Sequence, residues 1–358
     1  MWRSIASALC GVLFLTIAFA PVASAQPTET LETLSTTLPW TAAGLAAVWT
    51  GFEVYLIGGL RDGIRSDAIT RFNPATGAFV DESVRLPGIR YSASALWTGT
   101  EILVFGGATG TGDWNDTVRF NPSTKVLRYG MNMTSSRSHA PSVWTGQYVY
   151  ILGGTWGADG VRRDILRYDP VADRMTVVPS VLVPGFPRLA SGTWDGTRAV
   201  VFGTADAPTF TFDPATETVA NVSVSGPMPR VVSGSAVQMG PYAYAFGGWD
   251  PSGGRYTSGV LRFRTGSAEW GLAPANLSRP QGLTAAVVAG DRAYIFGGWN
   301  GVSDANTIQV FRSTEGPSLL VWIGLAATLI AIVAIVLVVW SRRRKKAGKT
   351  AETPPEDR

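Results

Sequence analysis

The segment Tyr91–Gly107 reads YSASALWTGTEILVFGG, and the chain repeats it with variations six times. It contains a run of small residues ending in Trp97, a Thr-Gly turn, a short apolar run and the doublet Gly106-Gly107. In the other five copies the second glycine position falls at 59, 154, 204, 248 and 298, with a threonine at 204. Repeats of strand-length apolar runs, spaced 44 to 50 residues apart, are typical of a β-propeller. Six copies therefore predict six blades.

Each copy predicts four antiparallel strands. In the second copy we expect them at Tyr91–Trp97, Glu101–Phe105, Thr117–Phe120 and Lys125–Tyr129. An Asn121-Pro122 turn precedes the last strand, and Asx-Pro is a strong turn signal that recurs in copies one, three and four. The first strand of most copies is rich in Ala, Ser and Gly, which suits strands that converge on a crowded central axis.

The sixth copy stops after its third strand, Thr307–Phe311. The segment Thr30–Thr37 precedes the first copy and is rich in β-branched residues. We therefore expect this N-terminal strand to complete the last blade, because such a closure leaves only short, protected edges.

Residues at both ends of the chain lie outside the repeats. Met1–Ala25 has a positive start, an apolar run and a small-x-small site ending at Ala25, the pattern of a secretory signal peptide. Leu319–Trp340 is 22 residues long without a charge, enough for a membrane-spanning helix. The basic cluster Arg342–Lys346 follows it, and such clusters remain on the cytoplasmic side.

These patterns predict four segments. Residues 1–25 form the signal peptide, 26–317 an extracytoplasmic domain, 318–340 a transmembrane helix and 341–358 a basic cytoplasmic tail. The predicted location is the cell membrane, with a single pass and the lipid bilayer as one partner. Because Cys10 is the only cysteine and lies in the signal peptide, the mature chain has no disulfide.

The charge of the predicted domain argues against nucleic acid as a partner. Between Gln26 and Pro317 there are 22 basic and 23 acidic residues, whereas the last 18 residues hold 7 basic and 3 acidic ones. A near-neutral domain without a basic stripe lacks the electrostatic footprint of nucleic-acid binding.

The repeated wording WTG, then an apolar run with GG, then RFNP resembles the kelch repeat, and prokaryotic secreted kelch proteins in particular. The resemblance extends from about Thr41 to Arg312. It implies an all-β, six-bladed kelch propeller and a module that binds a protein or a glycan. Some secreted kelch propellers resemble sugar mutarotases or epimerases, so an enzyme of that type is the alternative; a structural envelope protein is a third.

The residues favour binding over catalysis. His139 is the only histidine, so no His-based triad, His-cluster metal site or Cys-His pair can form, and we expect no cofactor or metal. Copper-radical oxidases, which resemble kelch propellers, require a cysteine and histidine ligands that are absent here. His139 begins an inner strand, where it either lines the channel mouth or is simply packed.

The predicted binding face combines arginines with loop tryptophans. An arginine precedes the inner strand in five copies, and each guanidinium either binds an anionic ligand at the channel mouth or pairs with a neighbouring blade. Tryptophans occupy four of the variable loops after the doublets, as in sugar- or protein-binding surfaces. With His139, the candidate site residues are Arg90, Arg137, Arg188, Arg230, Arg279, Trp114, Trp156, Trp249 and Trp299.

Overall fold

The computed structural model describes residues 27–157, 160–181, 189–202, 209–222, 232–267 and 269–314. The predicted signal peptide, transmembrane helix and basic tail lie outside this range, as do Arg188 and Arg230. Within the described residues, no helix has the length and apolar character needed to cross a membrane. Glu29–Ser313 forms one compact unit, and the account below concerns that unit.

The described chain is built of antiparallel β-sheets. One four-stranded sheet falls on each of the six copies, and we number these sheets I to VI in chain order. Sheet I consists of β3 (Ala46–Trp49), β4 (Val54–Ile57), β7 (Ala68–Phe72) and β8 (Phe79–Arg85). Sheet II consists of β9 (Ser94–Trp97), β10 (Ile102–Phe105), β11 (Thr117–Asn121) and β12 (Val126–Gly130). Sheet III consists of β13 (Ser142–Trp144), β14 (Val149–Trp156), β15 (Gly160–Asp169) and β16 (Arg174–Val181).

Sheet IV consists of β17 (Ser191–Trp194), β18 (Ala199–Phe202), β19 (Phe210–Asp213) and β20 (Thr218–Asn221). Sheet V consists of β21 (Ser235–Met239), β22 (Tyr242–Asp250), β23 (Arg255–Arg264) and β24 (Trp270–Asn276). Sheet VI consists of β25 (Ala285–Ala289), β26 (Arg292–Phe296), β27 (Ile308–Thr314) and the N-terminal strand β1 (Thr28–Thr33). A small three-stranded sheet contains β2 (Ala42–Ala43), β5 (Leu60–Arg61) and β6 (Ile64–Arg65). The predicted all-β fold of four-stranded antiparallel sheets is confirmed, and the architecture fits a β-propeller.

Neighbouring sheets pack face to face through apolar side chains. The first strands of the six sheets contact one another in a closed cycle, from β3 through β9, β13, β17, β21 and β25 back to β3. One buried apolar cluster lies at each of the six interfaces, including the one between sheets VI and I. Burial between sheets is therefore the main source of stability.

The N-terminal strand completes sheet VI, as the sequence predicts, but it lies earlier than Thr30–Thr37. β1 pairs with β27 at the sheet edge. Glu29 on β1 is buried, and its carboxylate accepts hydrogen bonds from the Tyr244 hydroxyl at 2.7 Å and from Arg262 at 3.0 Å. The anchoring of this carboxylate to sheet V fixes the register of β1. The amide of Leu34, just after the strand, still donates to the Ile308 carbonyl.

A backbone turn precedes each inner strand, and in the second copy it makes the strand begin later than predicted. At this turn every copy has one residue with a left-handed backbone, with φ between 50° and 66°; these residues are Gly44, Ser92, His139, Leu189, Ser233 and Leu283. In the second copy the turn occupies the start of the predicted strand Tyr91–Trp97, so that β9 begins only at Ser94. The left-handed region is normally costly for residues other than glycine, so the surrounding structure must impose it.

A hoop of backbone hydrogen bonds joins these left-handed residues. In five of the six copies the N–H of this residue donates to the carbonyl of its counterpart in the preceding copy, and the first copy donates to the last. Five such bonds are present among the described residues: Ser92 to Gly44 (2.8 Å), His139 to Ser92 (2.9 Å), Ser233 to Leu189 (2.8 Å), Leu283 to Ser233 (2.6 Å) and Gly44 to Leu283 (2.8 Å). We call this set the inner hoop.

The glycine doublets make the joint between one sheet and the next. In the second copy, a Cβ on Gly106 would lie 2.2 Å from the Arg137 carbonyl oxygen, and φ is +58° there. Gly107 donates its N–H to that same carbonyl at 3.0 Å. Only glycine allows the next copy to approach this closely.

Candidate functional site

The inner strands of all six sheets enclose a cavity of about 490 Å³. Small apolar and hydroxyl-bearing residues form most of its wall, and no Asp, Glu, Lys or Arg is among the described residues that line it. The hydroxyl groups belong to Ser92, Ser94, Ser142, Ser191, Thr193, Ser233, Ser235 and Thr284. The cavity is therefore polar but uncharged.

Several polar groups of this wall lack a protein partner. The Oγ atoms of Ser92 and Ser94 and the Oε1 atom of Gln238 are buried without a hydrogen bond. Ser235 and Thr284, in contrast, bond to each other at 2.7 Å. Buried hydroxyls and amides without a partner are costly, so these groups are suited to hydrogen bonding with water or a ligand.

A second recess of about 520 Å³ adjoins the cavity on the face where the loops after the doublets emerge. The two spaces share His139 and Leu189 in their walls. Tyr91 and the loop residues 110–113 complete the recess, and the Asp113 carboxylate there accepts a bond from the Gly157 amide at 2.7 Å. We call the recess the cavity mouth.

His139 stands between the cavity and its mouth, as one of the two sequence interpretations predicts. Its Nδ1 atom lies 3.1 Å from the Ser138 hydroxyl and 3.4 Å from the Thr155 hydroxyl, and its ring meets Tyr91 edge to face at 6.2 Å. Loss of solvent around the imidazole lowers the pKa of His139 to about 4. The ring is therefore neutral at physiological pH. One of its two nitrogens donates a hydrogen bond and the other accepts one.

Arg90 and Arg137 do not reach the cavity. The Arg90 side chain is 0% exposed and binds the Asp116 carboxylate at 2.6 and 2.8 Å. Arg137 is paired in the same way with Asp164 at 2.7 Å, and burial lowers its pKa from the usual value while Asp164 opposes this shift. Each also donates to a doublet carbonyl of its own copy at 3.0 Å. The expected orientation towards a channel mouth is not found, because desolvated guanidinium groups require these partners.

The same two arginines connect neighbouring sheets. The backbone carbonyl of Arg90 accepts the Gly59 amide of the first copy at 2.8 Å, whereas its side chain binds the second copy. The geometry is that of the structural alternative in the sequence interpretation.

Arg279 does not occupy the equivalent position in the sixth copy. Gln281 does: its carbonyl accepts the Gly248 amide at 2.7 Å and its side-chain amide donates to Gly297 at 3.0 Å. Arg279 lies two residues earlier, partly exposed, and donates to the carbonyls of Gly298 and Ser303. Alignment of the copies by arginine alone placed Arg279 two residues away from its structural equivalent. The left-handed residue shows the correct alignment, because it follows Arg90, Arg137 and Gln281 by two positions in each case.

The loop tryptophans fall into two groups, and Trp114 represents the packed group. Its indole N–H donates to the Ile89 carbonyl at 3.1 Å, and its ring lies 5.2 Å from the Arg90 guanidinium. Trp249 meets Tyr256 edge to face at 5.0 Å. The Trp114 ring thus covers the chain segment between sheets I and II, whereas Trp249 packs against its cross-strand neighbour within sheet V.

Trp156 is the most exposed of the four tryptophans, whereas Trp299 is partly exposed like Trp114 and Trp249. Trp156 is 53% exposed and stacks with Arg162 at 5.2 Å, and Trp299 is partly exposed in the last loop. Of the predicted site residues that the structure describes, His139 alone lies at the cavity. The residues that sequence reasoning missed are Tyr91 and the cavity hydroxyls, whose only signal was the small-residue content of the inner strands.

The described residues contain no cluster of three or more His, Cys, Asp or Glu side chains that could hold a metal ion. No protein-family model and no curated protein matches the chain. Among solved structures, that of YjhT is similar, with a TM-score of 0.62 and 16% sequence identity over 76% of this chain and 95% of that chain. At this identity the similarity shows the fold alone, and it agrees with the antiparallel four-stranded sheets of a propeller.

Proposed function

We propose that this protein is a six-bladed kelch-type propeller anchored at the cell surface, and that it binds an uncharged, hydroxyl-rich ligand such as a glycan end. The repeat wording, one sheet per copy and the closed cycle of inner strands support the kelch assignment. The leading apolar segment and the uncharged run Leu319–Trp340 support secretion and membrane anchoring.

The observation that carries the ligand class is the uncharged cavity. Its described wall offers hydroxyls, one amide and one neutral imidazole, several of them without a protein partner. A charged ligand would lose its hydration there without gaining a counter-charge, whereas a sugar exchanges water for matching donors and acceptors.

Binding is favoured over an epimerase or mutarotase. Such reactions need positioned acid and base groups with pKa values near the working pH. His139 is the one ionisable group in the described cavity wall, and its pKa of about 4 makes it a weak base. We therefore place its role in hydrogen bonding to the ligand.

The test is a titration of the full-length chain in detergent micelles against neutral and acidic monosaccharides, which are too short to span the outer face of the sheets. The informative variant is His139→Asn, because asparagine tolerates the left-handed backbone and does not titrate in this range. We expect a neutral sugar to bind the parent protein and the variant to bind it at least about five-fold more weakly, the loss of one hydrogen bond. Phe52→Ala, on the opposite face, is the control and should bind normally. Preference for acidic sugars, or unchanged binding by His139→Asn, would refute the proposal.

A further inference from the structure

A pair of grooves lies on the face opposite the cavity mouth. This face carries the Thr-Gly turns between first and second strands and the Asx-Pro turns between third and fourth strands. The first groove, about 520 Å³, runs between sheets I and II and is lined by the turn Thr50–Glu53, Arg71, Trp97 and the turn 121–125. We call it groove 1.

The walls of groove 1 hold charges that are already paired. Arg71 Nη1 binds the Glu53 carboxylate at 2.9 and 3.1 Å, and its Nε lies 2.6 Å from Glu82. Lys125 binds Glu82 from the other side at 2.8 Å. The Arg71 and Glu53 side chains are 27% and 25% exposed, so part of the pair remains accessible. The groove thus offers fixed donors and acceptors with no net charge among these four groups.

An exposed aromatic residue stands at the rim of groove 1. Phe52, at the tip of the Thr-Gly turn, is 85% exposed. The next three copies have polar residues at this position, namely Thr100, Gln147 and Thr197. With this exposure, the Phe52 ring is accessible to a molecule that enters the groove. With Trp97 in the wall, it gives the groove two aromatic side chains.

The same arrangement recurs one sheet further on. Groove 2, also about 520 Å³, lies between sheets II and III and contains Trp144, the Glu101–Arg119 pair and the Asp169-Pro170 turn. Thr100 lines both grooves, so they adjoin each other. In the third copy Tyr148 occupies the position of Glu53 and Glu101, so the carboxylate–guanidinium pair of the two grooves is not repeated there.

We propose that grooves 1 and 2 together bind consecutive units of a linear, uncharged glycan. Aromatic side chains provide an apolar face for a sugar ring, and the paired carboxylate and guanidinium provide acceptors and donors for its hydroxyls. Charge balance in the groove gives no preference for an ionic ligand. Two like sites side by side suit a ligand that repeats, because the second contact is then intramolecular. This inference does not depend on the cavity site.

A bilayer and a peptide are the competing occupants. A lipid surface would favour a convex group of several apolar side chains, whereas Phe52 stands beside a concave, ion-paired groove. An extended peptide would seek unpaired backbone groups at a strand edge, and the groove presents turns instead. Both occupants are included in the experiment below.

The experiment measures binding of the full-length chain in detergent micelles to neutral oligosaccharides from disaccharide to octasaccharide, derived from glucan, mannan and xylan. Phosphatidylcholine–phosphatidylglycerol vesicles and an unrelated extended peptide are the comparison probes. We expect affinity to increase at least about ten-fold once an oligosaccharide is long enough to reach both grooves. Phe52→Ala should weaken binding by about two- to ten-fold, the range expected for one aromatic contact.

The matched control is Val302→Ala, which truncates an equally exposed apolar residue (85%) on the doublet-loop face and should change nothing. His139→Asn should weaken monosaccharide binding but leave the gain in affinity with oligosaccharide length intact, so that failure here and failure of the cavity proposal are told apart. The inference is overturned if no neutral oligosaccharide binds, if Phe52→Ala and Val302→Ala behave alike, or if Phe52→Ala affects only vesicles or the peptide.

Discussion

Arg90 and Arg137 show how one residue position serves as a joint in this fold. The backbone of each bonds to the preceding sheet, while the guanidinium is buried against a carboxylate of the next one. Gln281 performs the same task in the sixth copy with an uncharged amide. Ala42, at the equivalent position of the first copy, accepts the Gly298 amide at 2.7 Å without such a side chain. The backbone contact is therefore shared by these copies, and the side-chain contacts of Arg90, Arg137 and Gln281 are a further support of assembly rather than of ligand binding.

Replacing Arg90 with alanine should lower the free energy of unfolding by about 3–5 kcal/mol, because it leaves the nearly buried Asp116 carboxylate without its partner. The double variant Arg90→Ala, Asp116→Ala should recover part of this loss. Arg279→Ala is the comparison, with a smaller expected cost, since Arg279 is partly exposed and bonds chiefly to carbonyls and to Gln281. Urea unfolding followed by tryptophan fluorescence measures all three. Equal costs for Arg90→Ala and Arg279→Ala would contradict the joint role.

His139 should make stability depend on pH. The unfolded chain binds a proton on this histidine near pH 6.5, but the folded chain does so only near pH 4, so folding becomes less favourable as the pH falls between these values. From about pH 7 to about pH 5 this amounts to roughly 2 kcal/mol. His139→Asn should remove that part of the pH dependence, as judged from urea unfolding at both pH values. Parallel pH profiles for parent and variant would show that the imidazole is not desolvated.

Individual strands differ in how far the sequence predicts them. The doublet, the Thr-Gly turn and the Asx-Pro turn are local signals, so strands such as β10 and β11 lie close to their predicted positions. The inner strand of the second copy was placed too early, because the left-handed turn before β9 depends on hydrogen bonds to other copies. The three-stranded sheet of β2, β5 and β6 was not predicted at all, since its strands are too short for a periodic pattern. The arginines were grouped by residue type, and only the fold reveals that Arg90 and Arg137 are buried.

The buried carboxylate of Glu29 contributes more to holding β1 in sheet VI than the exposed carboxylate of Glu32 does. Glu29→Gln should cost about 1.5–3 kcal/mol, because Arg262 and the Tyr244 hydroxyl lose a charged acceptor. Glu32→Gln is the matched control on the same strand: its bond to Arg312 is exposed, and such pairs contribute about 0–1 kcal/mol. Thermal unfolding of both variants provides the measurement. If the two melt together, Glu29 does not hold the strand.

At the scale of the whole molecule, both described ends of the chain fall in one sheet. β1 and β27 are neighbours, and no strand of the described chain lies beyond them in chain order. The chain leaves sheet VI at Thr314, close in sequence to the uncharged run that begins at Leu319. If this run anchors the protein in a membrane, sheet VI is the one sheet that the chain connects directly to the anchor.

Removing Leu319–Arg358 should release the protein from the membrane, since the uncharged run and the basic cluster are then both absent. The full-length chain should stay in the membrane fraction after a carbonate wash, and the shortened chain should appear outside the cell in folded form. The same shortened chain with residues 319–340 restored, but without the tail, serves as the control and should remain attached. Retention of the shortened chain after the wash would exclude this mode of anchoring.

The inner hoop has a consequence for how the gene can be rearranged. Every one of its described bonds runs in the same sense round the cavity, and the bond from Gly44 to Leu283 is of the same kind as the others. The five described bonds form one series from His139 through Ser92, Gly44, Leu283 and Ser233 to Leu189, and this series continues across the junction of sheets VI and I. A circularly permuted chain, joined between β27 and β1 and opened in the outer loop of another sheet, would keep every bond of this series. The inner hoop therefore does not require the chain to begin and end in sheet VI.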